Sequence, residues 1–100
     1  MMVSGKTIML GGKEFVVPPA PFSVVRAHTD IFEGRAKPTV PQMADIIFGA
    51  IRRNYPDLTK EDFEANHLDI ANMAELFSVV MSASGAEEKA APGEAQPGSQ

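Results

Sequence analysis

The stretch from Thr39 to Thr59 constrains this chain most, because it spells out one complete amphipathic helix with its start and its stop. Thr39 suits an N-cap, and Gln42, three residues on, can return a bond to complete a capping box. Val40 and Pro41 then fall in the first turn, where a missing backbone N–H costs nothing. Met43, Ile46, Ile47, Ala50 and Ile51 recur at the three-and-four spacing that lines one helical face. Pro56 ends the run by driving Tyr55 out of the helical region. Arg52 and Arg53 are expected in the last turn, where cations oppose the exposed carbonyl ends. Each large aliphatic buried along such a stripe contributes ~1.5–3 kcal/mol, so this helix is the expected spine of a small core.

Upstream of the spine, Lys6 to Val17 reads as a hairpin. Thr7-Ile8-Met9-Leu10 and Glu14-Phe15-Val16-Val17 are β-prone runs, and Gly11-Gly12 between them suits a tight turn that needs positive φ. Pro18-Pro19-Ala20-Pro21 ends the second strand. A lone hairpin is marginal in water, so it must lie on a helix or pair with another chain, and both its edges are expected open. Pro21 opens a further helix with Phe22, Val25, Thr29 and Phe32 on one face and Arg26 and Asp30 on the other, ending near Glu33-Gly34.

Downstream, Thr59-Lys60-Glu61-Asp62 is a second cap followed by acids, starting a short helix anchored by Leu58 and Phe63. Asn66-His67-Leu68-Asp69 reads as another cap. The last helix would carry Ile70, Met73, Ala74, Phe77, Val80 and Met81 on one stripe and end before Gly85. From residue 86 to 100, Ala, Pro, Gly, Gln, Ser and Glu dominate without a large apolar side chain, which predicts a disordered tail. The fold expected is mainly α: a small helical domain of three to four helices over residues 1–85, with an N-terminal β-hairpin and a disordered tail at 86–100.

Chemistry is sparse. The chain has no cysteine, which excludes disulfides and thiolate metal sites. Ser4-Gly5-Lys6-Thr7 holds the end of a phosphate-binding loop, but the glycine the motif requires further upstream has no room, and a strand-like run follows instead of a helix. His28 has Asp30 nearby and His67 has Asp69, at spacings that do not aim both groups at one ion, so both read as surface or capping histidines. No Ser-His-Asp or Cys-His arrangement is suggested, and neither an enzyme nor a cofactor is expected.

A formal net charge of −4 argues against nucleic acid as the main partner. The charge is uneven: residues 1–53 carry seven Lys/Arg against four acids, whereas residues 54–100 carry two against nine. That reads either as solvated faces that attract weakly or as a polar protomer that stacks head to tail. No run is long and apolar enough to span a bilayer and no signal peptide opens the chain, so a soluble, cytoplasmic protein without membrane contact is expected.

The order of pieces resembles a known family. It runs from Lys-Thr-Ile-Met-Leu-Gly-Gly-Lys-Glu-Phe-Val-Val-Pro-Pro, through an amphipathic helix, to Ala50-Ile-Arg-Arg-Asn-Tyr-Pro-Asp-Leu-Thr59, an acidic turn and a final helix ending near Ser84-Gly85. Over roughly residues 6–85 this is similar to the tail assembly chaperones of tailed bacteriophages. The resemblance implies a non-catalytic protein that binds the long helical tape measure protein in the host cytoplasm and keeps it soluble. It further implies help to tail tube subunits polymerising around the tape measure, absence from the mature virion, and a longer product made by ribosomal frameshifting.

The residues supply a matching surface: Met73, Phe77 and Met81 on the last helix are the expected partner-binding side chains, since Met fills irregular gaps. The same stripe serves equally as the core of a small domain. Some self-association is also expected. The competing reading is a small regulatory or adaptor domain that dimerises through the helical stripe.

Overall fold

The structure, a computed structural model, describes residues 2–85, so the tail expected at 86–100 lies outside the described residues. In chain order the elements are β1 (Lys6–Leu10), β2 (Lys13–Val17), α1 (Phe22–Ala27), α2 (Thr29–Phe32), α3 (Val40–Ile51), α4 (Lys60–Asn66) and α5 (Ile70–Ala83). The mainly helical fold with an N-terminal hairpin is thus present, with five helical segments rather than three or four.

Gly11 and Gly12 both hold positive φ, 58° and 81°, the conformation that a two-residue hairpin turn needs to match strand twist. The turn sets Leu10 opposite Lys13, Ile8 opposite Phe15 and Lys6 opposite Val17. Leu10, Phe15 and Val17 are buried and Ile8 is half-buried, so this face of the hairpin meets the helices. In a two-residue hairpin the pair flanking the turn exchanges hydrogen bonds and the pairs then alternate. The backbone groups of Thr7 and Met9 on β1, and of Glu14 and Val16 on β2, therefore point away from the partner strand.

Helix α3 is the spine, touching β2, α1, α4 and α5. Its capping box is complete: Thr39 Oγ1 accepts the Gln42 N–H at 3.2 Å, and Gln42 Oε1 accepts the Thr39 N–H at 2.8 Å. Ile46, Ile47, Ala50 and Ile51 are fully buried, while Met43 is half-buried at the stripe's edge. The helix stops at Ile51, before the arginines. Arg52 takes the C-cap, and tight backbone bonds from Arg53 to Ala50 and from Asn54 to Ile51 turn the chain aside. Arg53 is thereby freed to donate to the Pro19 carbonyl at 2.8 Å, tying this corner to the proline loop.

The segment expected as one helix after Pro21 breaks at His28, where φ −131° and ψ 40° leave the helical region. Phe22, expected on the inner face, is 68% exposed beneath the Arg26 guanidinium, 5.0 Å from its ring centre. The inward side chains are Val24, buried Ile31 and, as expected, half-buried Phe32. Val24 enters a notch that Gly49 leaves in α3: a Cβ at Gly49 would lie 2.5 Å from Val24 Cγ2. In α4, Thr59 caps through the Asp62 N–H at 3.0 Å, and Phe63 enters the core completely. Lys60 reaches Asp45 of α3 at 2.6 Å. That hydrogen bond, and then the attraction between the charges, raises the exposed Lys60 ammonium above its ordinary pKa.

Candidate functional site

The last helix is set by its N-terminus. Asp69, not Asn66, is the cap: its Oδ1 accepts the Asn72 N–H at 2.8 Å, and Asn72 Oδ1 accepts the Asp69 N–H at 2.9 Å. Asn66 instead stays with α4, donating to Asp62 at 2.6 Å. At the other end Ser84 Oγ donates to the Val80 carbonyl at 2.8 Å and accepts the Ala20 N–H at 2.9 Å, docking α5 on the proline loop.

Between these anchors Met73, Leu76 and Val80 are the buried residues, at the i, i+3, i+7 spacing of one face. The expected partner-binding set is therefore split. Met73, 7% exposed, belongs to the core and offers nothing to a partner in this arrangement. Phe77 and Met81 are half-buried. Advancing 100° per residue, they lie to one side of the buried stripe, together with exposed Ala74 and with Ile70, 75% exposed. Ile70, Ala74, Phe77 and Met81 follow one another at helical spacing and form a continuous apolar flank along α5. Leu76, which the periodicity left out, is what rotates the helix into this setting.

The remaining expectations resolve case by case. Lys6 and Thr7 lie in β1, and Gly5 sits so close to β2 that a Cβ would fall 2.0 Å from the Val17 carbonyl oxygen. The Gly-Lys-Thr run is thus strand entry, with no helix N-terminus behind it. His28 occupies the α1–α2 break and His67 the C-cap of α4, neither making a side-chain cap bond. The His67 ring is no surface group, at 18% exposure. It stands edge-on to Phe15 at 5.2 Å and beside Phe63 at 6.2 Å, with Nδ1 buried and unpartnered and Nε2 3.8 Å from Asp62. Among the described residues no three His, Asp or Glu side chains are placed to hold a metal ion.

Two polar residues that the periodicity passed over organise the other face. Asn54, 9% exposed, donates through Nδ2 to the carbonyls of Val3 (2.9 Å) and Val16 (3.1 Å) and accepts the Val3 N–H at 2.5 Å. Tyr55 Oη accepts the Val16 N–H at 2.8 Å, and its ring meets Phe15 edge-on at 5.1 Å. Together they satisfy both outward groups of Val16, so the β2 edge expected to be open is closed there. A polar pair between a helical stripe and a proline was the available signal. The electrostatics elsewhere are surface effects: Glu33 and then Asp30, by hydrogen bonding, raise the exposed Arg35 above its ordinary pKa.

No protein-family model, curated protein or solved structure matches this chain. Among the described residues no helix is long and apolar enough to cross a membrane.

Proposed function

We propose that the chain is a non-catalytic tail assembly chaperone whose α5 flank holds a hydrophobic helical segment of a phage tape measure protein. The observation that carries this is the flank itself. Ile70, Ala74, Phe77 and Met81 give an apolar strip on a rigid, doubly anchored helix, beginning with a side chain that is 75% exposed. Such a strip suits an amphipathic partner helix, with Phe and Met adjusting to varied side chains. The resemblance in the Leu10-Gly-Gly-Lys-Glu-Phe15 turn and the Tyr55-Pro-Asp-Leu-Thr59 junction supplies the partner's identity. On this reading the protein works in the host cytoplasm, assists tail tube polymerisation and is absent from the finished virion.

The test is co-expression with the tape measure protein of the same genome, the gene carrying its native downstream DNA and an N-terminal tag. Soluble tape measure that co-elutes with the tagged chain is the expected result, accompanied by a minor longer product from frameshifting. A tape measure that stays insoluble beside a well-folded chain would overturn the reading. A defined dimer that ignores the tape measure would then favour the adaptor alternative.

A further inference from the structure

The two outer edges of the hairpin are unequal. On β2 the outward N–H and carbonyl of Val16 are engaged by Tyr55 and Asn54. On β1 the outward N–H and carbonyl groups of Thr7 and Met9 have no partner among the described residues. Both side chains are exposed, Met9 by 63%. The strand carries neither the proline nor the bulge that blunts an edge, and its one charge is Lys6 at its start.

A groove of about 310 Å³ runs beside this edge, lined by Thr7 to Gly11 on one side and by Asn72, Glu75 and Leu76 of α5 on the other. It lies across α5 from the Ile70–Met81 flank. Asn72 is committed to the helix cap and to the His67 carbonyl. Glu75 has no hydrogen bond or ion pair among the described residues, and neither has Lys6. Within one protomer Lys6 and Leu10 are at opposite ends of β1, about 13 Å apart at the rise of a strand, so the groove end at Leu10 is beyond easy reach of Lys6.

We propose that β1 pairs antiparallel with β1 of a second copy, about a two-fold axis through Ile8, to give a four-stranded sheet. In this register Thr7 stands opposite Met9 of the second copy, and the outward N–H and carbonyl of each bond those of the other, twice by symmetry. Sliding by two residues would set Met9 against Gly5 or Thr7 against Gly11, outside the strand, and would forfeit bonds. Ile8 meets Ile8 of the second copy on the face that adjoins the groove, an apolar cross-strand pair. Lys6 of the second copy falls opposite Leu10 on that same face, at the groove that Glu75 lines. Lys6 and Glu75, each without a partner among the described residues of one protomer, thus become partners between two, and this complementarity favours a second copy over an unrelated extended peptide. The pairing stands apart from the chaperone reading, since it uses the opposite side of α5.

Sedimentation velocity on the full chain, from low micromolar to submillimolar concentration, tests this together with amide exchange at Thr7 and Met9. A monomer–dimer equilibrium is expected, with both amides slowing as the dimer fills. Met9→Pro removes an outward N–H that the hairpin itself does not use, and should abolish the dimer while circular dichroism stays unchanged. Glu75→Lys should weaken dimerisation at least about tenfold, by turning two symmetric attractions into repulsions. Lys6→Glu combined with Glu75→Lys should restore it. Should Met9→Pro fail to fold, the charge-swap series decides alone. A chain that stays monomeric at every concentration overturns the proposal, as does a dimer indifferent to both charge changes. Protection of Thr7 and Met9 that appears only when an extended peptide is added to a monomer would assign the edge to that peptide instead.

Discussion

Asn54 holds Val3 by both of its backbone groups, donating to the carbonyl at 2.9 Å and accepting the N–H at 2.5 Å across 51 positions of chain. A strand neighbour would bond in the same way, so one amide side chain takes the place of a strand. The third bond, to the Val16 carbonyl, makes Asn54 the knot between the N-terminal segment, β2 and the end of α3. Asn54→Ala leaves three backbone groups without their partner, and should cost about 2–4 kcal/mol in urea unfolding. Gly5→Ala should loosen the same knot, because its Cβ would collide with the rigid Val17 carbonyl.

Tyr55→Phe isolates one hydrogen bond. The ring keeps its edge-on contact with Phe15, and only the acceptor of the Val16 N–H is lost. A loss of about 1 kcal/mol is expected, with faster hydrogen exchange at the Val16 amide and little change at Phe15. An unchanged exchange rate at the Val16 amide would show that the ring, not the hydroxyl, closes the edge.

Gly49→Ala tests the notch that receives Val24. A helix interior gains about 1 kcal/mol when Gly becomes Ala, while overpacking a filled contact costs ~1–3 kcal/mol. Because the Val24 side chain is β-branched and stiff, the second effect should prevail and the variant should lose about 1 kcal/mol. In a Val24→Ala background the same substitution should become neutral or stabilising. A simple sum of the two single effects would rule out the contact.

The α5 flank and the α5 core should separate cleanly. Ile70→Glu alters a residue that is 75% exposed in the first turn, where an acid is favourable, so stability should stay within about 0.5 kcal/mol. Tape measure solubility in co-expression should nevertheless fall. Met73→Ala should cost ~2–5 kcal/mol, so any functional loss it brings follows from unfolding. Phe77→Glu that left both folding and tape measure solubility intact would remove the flank as the binding surface.

What the sequence made legible was local. The Thr39–Gln42 box, the Thr59 cap and the Gly11-Gly12 turn each need only residues a few positions apart, and each is present. Whatever depended on distant residues was not legible. The break at His28 carries no Gly or Pro, and Val24 turns inward because Gly49 makes room for it. Helix α5 carries apolar side chains around a wide arc, so periodicity showed a stripe without locating its centre. Packing then chose Met73, Leu76 and Val80, and left Ile70, Phe77 and Met81 beside it. The closed β2 edge depends on Asn54, 38 positions from Val16, and the polar pair before Pro56 signals a role without identifying so distant a partner.

That separation has a consequence during synthesis. The hairpin leaves the ribosome with both edges bare, and the residues that seal β2 follow 38 positions later, about 2–8 s at ordinary elongation rates. For that interval the nascent chain presents two sticky strands where the finished protein presents one. A pause in translation between Val17 and Tyr55 would lengthen the exposure and should raise the share of aggregated product, although the final amino-acid sequence is unchanged.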